Sequence, residues 1–190
     1  MYYQAFLKIY QRAAKKMCQD CQGFIEKKSR ILDVGCGVSI VAKTFQDFFQ
    51  AELIGVDVTD RRIFPIPFKK IDGRSLPFPE NNFDAVLITY VLHHSQDPLS
   101  LLKEARRVTR DKILIYEDLA EGFFSGLFCK LHGISFNKIF GNRNKTCFKS
   151  DKAWQDLFKE LGLRLVFQKK VSSTFNPITK KLFVLEKQGT

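Results

Sequence analysis

Ten residues do most to limit what this chain can become: Arg30-Ile31-Leu32-Asp33-Val34-Gly35-Cys36-Gly37-Val38-Ser39. Ile31 to Val34 is a short, mostly apolar run of the kind that forms a buried strand. It passes through Gly-Cys-Gly into Val38 to Phe49, whose apolar spacing predicts a helix. Glycine tolerates positive φ and leaves bare backbone for a ligand to lie against. The helix that follows starts with unpaired N–H groups, which suit a polar or anionic group. A strand turning through glycines into a helix is therefore a ligand cradle. Two ligand types are excluded by spelling. The dinucleotide pattern G-x-G-x-x-G fails because its third glycine position is Ile40, and the G-K-[ST] of a phosphate loop is absent.

The chain after this point alternates strand and helix. Glu52-Leu53-Ile54-Gly55-Val56-Asp57 predicts a second strand ending on a carboxylate. In a doubly wound sheet, ligands lie across the carboxyl ends of the strands, where a carboxylate can accept both hydroxyls of a ribose. The interval from Gly37 to Asp57 fits a strand–helix–strand unit. Phe68 to Ile71 reads as a short third strand and Ala85 to Thr89 as a fourth, apolar throughout. Pro98 opens a helix with Leu101, Leu102, Ala105 and Val108 inward. Asp111 to Asp118 is a fifth strand, entered by a turn at Thr109-Arg110-Asp111 and ending on Glu117 and Asp118, which suit either a substrate-facing role or that of ordinary strand-end acids. Ser150 caps a helix from Asp151 to Leu161, and Gly162 ends it. Leu163 to Val171 and Lys181 to Glu186 are the last strands, joined by a loop with Asn176-Pro177. Ahead of all this, Phe6, Ile9, Tyr10, Ala13, Met17 and Cys21 mark an amphipathic helix, with Lys8, Arg12, Lys15 and Lys16 on its other side.

Three stretches resemble class I S-adenosylmethionine (SAM)-dependent methyltransferases. Leu32 to Ser39 resembles motif I of that family, close to L-D-V-G-C-G-T-G, with Ser39 in place of the third glycine. Asp72 to Asp84 resembles its D-x-x-x-L-P-F-P-x-x-x-F-D stretch. Tyr90-Val91-Leu92-His93-His94-Ser95-Gln96-Asp97-Pro98 resembles its strand-end segment with L-H-H and D-P. The likeness is to small-molecule enzymes of the ubiquinone/menaquinone-biosynthesis type (methyltransferase type 11). It implies an α/β fold: a doubly wound, mostly parallel seven-stranded sheet with an antiparallel last strand and a helical insertion after the fifth strand. It also implies SAM as cofactor, leaving as S-adenosylhomocysteine, held by Asp33, Gly35, Cys36, Gly37, Asp57, Val58, Asp72, Gly73, Thr89 and Tyr90. Asp57 would take the ribose, Asp72 and Gly73 the adenine, and Thr89 and Tyr90 would lie toward the methionine end. The implied reaction is in-line displacement of the sulfonium methyl by an acceptor nucleophile. His94, or His93 in its stead, is then a general base or a substrate-positioning group. A histidine that merely caps or packs the turn accounts for the same residues equally well.

The resemblance divides one domain into a leading helix (1–29), a cofactor core (30–118), a helical insertion and substrate lid (119–149) and a C-terminal helix with two strands (150–190). Phe123, Phe124, Leu127, Phe128 and Leu131 form an apolar stripe in the insertion. That stripe suits either an apolar or aromatic acceptor pocket or packing on the domain's own core. Cys18-Gln19-Asp20-Cys21 lacks the second ligand pair that zinc needs, so no metal is expected. Five cysteines, no signal-peptide pattern and no membrane-length apolar run point to a reduced, cytoplasmic setting. The formal charge of +11 is uneven. Residues 1–30 hold seven basic against two acidic residues, and 119–190 thirteen against five, while 31–118 hold eleven against thirteen. Such flanks are either a solvated surface or a means of attracting an acidic substrate, RNA or an anionic membrane. Two other readings stay open: an RNA-modifying methyltransferase, and a non-catalytic SAM-fold subunit that activates a partner. A monomer or weak dimer is expected.

Overall fold

The computed structural model describes residues 2–121, 147–172 and 178–188, with side chains from Leu7 onward. The elements are α1 (Tyr2–Cys21), β1 (Arg30–Val34), α2 (Ile40–Phe49), β2 (Glu52–Asp57), β3 (Phe68–Lys70), β4 (Phe83–Thr89), a 3-10 turn (Leu92–His94), α3 (Pro98–Val108), β5 (Thr109–Leu119), α4 (Asp151–Glu160), β6 (Leu163–Lys170) and β7 (Thr179–Lys187). Among the described residues seven strands form one sheet in the order β3-β2-β1-β4-β5-β7-β6. β1 to β5 are parallel, and β7 runs antiparallel to both β5 and β6. This is the doubly wound sheet expected from the sequence.

Alternation along each strand divides the core into two layers. Leu32, Val34, Val86, Ile88, Ile113 and Ile115 face α3 and α4, where Leu102, Trp154 and Phe158 meet them. Ile31, Leu53, Leu87, Leu114 and Tyr116 face α1 and α2, against Met17, Cys18, Phe45 and Phe49. Both faces being covered explains why β4 is apolar at successive positions. The two thiols of the C-x-x-C are buried in this second layer. Burial pushes both Cys18 and Cys21 up to about 12, and Cys21 Sγ lies 3.3 Å from the Tyr116 hydroxyl.

Chain direction across the sheet reverses between β1 and β4. β2 and β3 build outward on one side, and β4, β5 and β7 on the other. A crevice therefore opens at the carboxyl ends of β1 and β4, the place where such sheets receive ligands. Caps fix the helices near it. Asp97 accepts from Ser100 N ahead of Pro98, and Ser150 accepts from Ala153 N.

Of the boundaries that differ from the sequence reading, two have a visible cause. α2 starts at Ile40 rather than Val38, because Ser39 is left-handed, with φ 63°. The turn expected at Thr109-Arg110-Asp111 is already strand. Phe83 pairs with Thr109 and Ala85 with Lys112, so β5 spends an extra residue on a bulge where a loop was expected. The apolar stripe Phe123–Leu131, most of the insertion and lid expected over 119–149 (122–146) and Asn176-Pro177 lie outside the described residues. Among the described residues no helix is long and apolar enough to cross a membrane.

Candidate cofactor and acceptor site

The glycine loop is held from below. Gly35 N and Cys36 N both donate to Val56 O, at 2.8 and 3.1 Å. The amides of these two candidate residues thus anchor the loop on β2. Gly35 has φ 74°, and a Cβ there would come within 2.3 Å of Val91 Cγ2. That position is closed to any side chain by the segment after β4. Gly37 differs. It has φ 50°, and an added Cβ would meet nothing nearer than Gly35 O at 4.0 Å. Its open side is where a ligand can approach bare backbone. Cys36 is buried, and burial raises its thiol, with Asp33 and Asp57 adding to the effect.

Ser39, where the resembling motif has glycine, adopts the left-handed conformation that glycine favours. Its hydroxyl donates to Val38 O (2.6 Å) and lies 2.9 Å from Phe64 O, while Phe64 N donates to it at 3.1 Å. The side chain is fully buried. A left-handed non-glycine residue carries backbone strain, and these bonds to the loop after β2 offset it.

At the end of β2, Asp57 Oδ2 accepts from Gly37 N at 2.9 Å and Oδ1 from Thr59 N at 3.2 Å. A carboxylate offers about four acceptor positions, so the described partners leave two for a ligand's hydroxyls. Val58 beside it is 51% exposed, an apolar surface at the crevice. Gly73 approaches it, since a Cβ on Gly73 would lie 3.1 Å from Val58 Cγ1. Asp72 Oδ1 accepts from Arg74 N (2.8 Å) and Ser75 N (3.0 Å), and these bonds hold its carboxyl below the usual range. The residue stands exposed.

Deeper in, Asp33 is 1% exposed, and burial, reinforced by the charge of Asp57, pushes its carboxyl up to about 7. Its Oδ1 is buried without a hydrogen-bond partner, as is Thr89 Oγ1 at the end of β4. Two unpartnered polar atoms at the ends of adjacent central strands suit the polar end of a ligand. Tyr90 follows with φ 56°, anchored by Tyr90 N donating to Tyr116 O at 2.8 Å. Lys180 Nζ lies 4.5 Å from its ring centroid and donates to Asp118 Oδ1 at 2.6 Å. Burial raises the Tyr90 phenol, with Asp118 and Glu117 contributing.

The histidine pair divides. His93 is buried, its Nδ1 in short contact with Glu117 Oε1, its ring stacked 4.6 Å from Phe148 and its carbonyl accepting from Cys147 N at 2.8 Å. Glu117 is buried as well, and desolvation pushes it up to about 8. His94 is half-buried, with its ring centroid 4.0 Å from that of His93. Phe148 and Lys180 were not identifiable as site neighbours from the sequence, since each reaches the site from a distant part of the chain. Glu117 is marked there only as one of two acids ending β5, either of which could face the substrate or be an ordinary strand-end acid.

A cleft of about 750 Å³ opens at the opposite end of the sheet, between Gly23, Lys28, Phe49, Asp84 and Lys112. It lies at the amino ends of β4 and β5, away from the switch point.

The strand order, the antiparallel β7 and a glycine loop facing an acidic strand end define a class I methyltransferase fold. Residues 32–115 match the family model described as a methyltransferase domain. An uncharacterized methyltransferase of Schizosaccharomyces pombe is 35% identical over 106 residues, which cover 46% of this chain and 38% of that protein. A demethylmenaquinone methyltransferase of Geobacillus kaustophilus is 30% identical over 101 residues, covering 45% and 43%. The chain spans less than half the length of these curated relatives. The solved structure of the YcgJ protein of Bacillus subtilis superposes with a TM-score of 0.67 at 16% identity, covering 94% of this chain and all of that one. At that identity the likeness is one of fold.

Proposed function

We propose that this domain transfers a methyl group from SAM to an apolar small-molecule acceptor. One observation carries the reading: Gly37 N donates to Asp57 Oδ2, so the open glycine loop and the carboxylate are already joined as one receptor. In this reading the remaining acceptor positions of Asp57 take the ribose hydroxyls. Val58 and Gly73 wall the adenine, and Asp72 Oδ2 accepts from its amino group. Asp33, Gly35, Cys36, Gly37, Thr89 and Tyr90 line the path to the methionine end, where Asp33 meets positive charge. Bound there, the cofactor supplies a methyl group already activated on a sulfonium. The chain's own work is alignment and exclusion of water, effects worth up to about 7–11 kcal/mol in favourable intramolecular cases.

His94 is the group proposed to face the acceptor and to take its proton where the nucleophile must lose one. His93, held by Glu117 and Phe148, fixes the turn that carries it. An apolar acceptor is supported by the relative named for demethylmenaquinone.

The test has two arms. Calorimetry should give S-adenosylhomocysteine a micromolar dissociation constant, weakened strongly in Asp57→Ala. Incubation with methyl-labelled SAM and cell extract should put label in the organic-soluble fraction. Label in RNA alone would move the reading to an RNA-modifying enzyme. Cofactor binding with no labelled product would move it to a non-catalytic subunit.

A further inference from the structure

The leading helix is only partly seated on the body. Met17, Cys18 and Cys21 are buried against the sheet and α2, Ala14 is buried as well, and Leu7 is half-buried. Residues 8–13 are exposed at every position, over nearly two turns of helix. The apolar character of α1 does not stop where its cover does. Ile9 is 61% exposed and Tyr10 51%, and Ala13 stands between them on the same side of the helix. Leucine-sized apolar groups left in water along a helix lose the burial that normally stabilises an amphipathic element.

The neighbouring strip carries charge of one sign. Lys8, Arg12, Lys15 and Lys16 recur at spacings of four, three and one, which gathers them on one face beside Ile9 and Ala13. No acidic residue occurs before Asp20, and Asp20 is engaged by Lys169 at 2.6 Å. The exposed part of α1 therefore presents an apolar strip bordered by four cations with no acid among them. A protein partner would need an apolar patch ringed by acids. An anionic phospholipid surface supplies both chemistries together, apolar acyl chains beneath a plane of negative headgroups, and a basic amphipathic helix lying in that plane satisfies both.

We propose that the exposed half of α1 is a docking surface for an anionic phospholipid bilayer, with Ile9 and Tyr10 entering the interface and Lys8, Arg12, Lys15 and Lys16 at headgroup level. The inference rests on α1 alone and holds or fails independently of methyl transfer.

Vesicle co-sedimentation tests it, using the full chain with phosphatidylglycerol–phosphatidylcholine vesicles and with phosphatidylcholine alone. Binding should favour the anionic vesicles by at least tenfold and weaken as salt rises. One cation near such a surface strengthens binding roughly fivefold, so Lys8→Gln/Lys15→Gln should weaken it about 25-fold. Ile9→Ser should weaken it roughly tenfold. These positions are exposed, so a thermal melt matching wild type confirms that each variant is folded. Tyr10→Trp adds a reporter whose emission should shift to the blue on anionic vesicles. Equal binding to both vesicle types, binding unaffected by Ile9→Ser, or an unshifted emission from the Tyr10→Trp variant would each overturn the proposal. So would a dimer in sedimentation velocity that Ile9→Ser dissociates, since the strip would then be covered by a second copy. RNA binding that abolishes vesicle binding while itself ignoring Ile9→Ser would assign the cations to a nucleic acid instead.

Discussion

Asp57 already accepts from Gly37 and Thr59 before any ligand arrives, so its carboxylate is preorganised. Asp57→Ala should therefore weaken cofactor binding on the order of a hundredfold, the loss expected from two charge-assisted hydrogen bonds. It should also loosen the glycine loop, readable as faster amide exchange at Gly37. Asp72→Ala should weaken binding less, because Val58 still offers apolar contact to the adenine. An adenine analogue lacking the amino group should bind wild type and this mutant alike. For the histidines, His94→Ala should leave cofactor affinity and melting temperature nearly intact and lower turnover by roughly 10²–10⁴-fold. Glu117→Ala should do the reverse first. It takes from the buried His93 Nδ1 its partner Glu117 Oε1, at a cost of about 1–3 kcal/mol in denaturant titrations. An unchanged turnover in His94→Ala would retire it as a proton acceptor. Asp57 and Gly37 were legible in the sequence because strand-end position and glycine spacing are local signals. The pairing of His93 with Glu117 was not. It depends on the β4–β5 register, which aligns Thr89 with Tyr116, and on the 3-10 turn that contains the histidine. Neither has a spelling.

Strand and helix identities followed from local patterns, and the exceptions lie where tertiary contacts override them. Ser39 is one. Nothing in Val38-Ser39-Ile40 announces a left-handed residue, yet the hydroxyl's bonds to Phe64 make that conformation tenable. Ser39→Ala keeps the strain and removes two part-buried bonds to Phe64 N and O, so it should destabilise the domain by about 1–3 kcal/mol. Ser39→Gly loses the same bonds but relieves the left-handed strain, worth roughly 1 kcal/mol. Its urea midpoint should fall between alanine and wild type. If alanine and glycine melt alike, strain at Ser39 is unimportant. The start of β5 is the other exception. A bulge fed by α3 uses residues that read as a turn, and Thr109 Oγ1 bonds Lys112 O across it. The pattern Thr-Arg-Asp is polar enough for either role, and only pairing with Phe83 decides.

At the scale of the whole molecule, the fold keeps a carboxylate where folding alone would reject one. Asp33 sits in a central strand, 1% exposed, with Oδ1 unpartnered and Asp57 adding negative field. Its carboxyl is raised from 3.8 to about 7. Between those values the native state holds a proton that the unfolded chain has released. Stability must therefore fall as pH rises from about 4 to about 7, by up to about 1.4 kcal/mol per unit for this one group, and level off above. A ligand bringing positive charge beside Asp33 reverses the preference. It favours the ionised form, so binding releases a proton below pH 7, and affinity should rise with pH from about 5.5 to about 7. Asp33→Asn removes both effects. Its stability should lose one proton's worth of slope over that window and exceed wild type above it, while its cofactor affinity becomes weaker and nearly flat with pH. Calorimetry of S-adenosylhomocysteine in two buffers of different ionisation enthalpy, paired with urea titrations at the same pH values, measures both sides of the linkage. If the mutant gains stability but binds as tightly as wild type, Asp33 is a buried acid with no ligand to serve. If it loses both, the carboxylate supports β1 itself, and the origin of its raised titration must be sought in the strand rather than in the site.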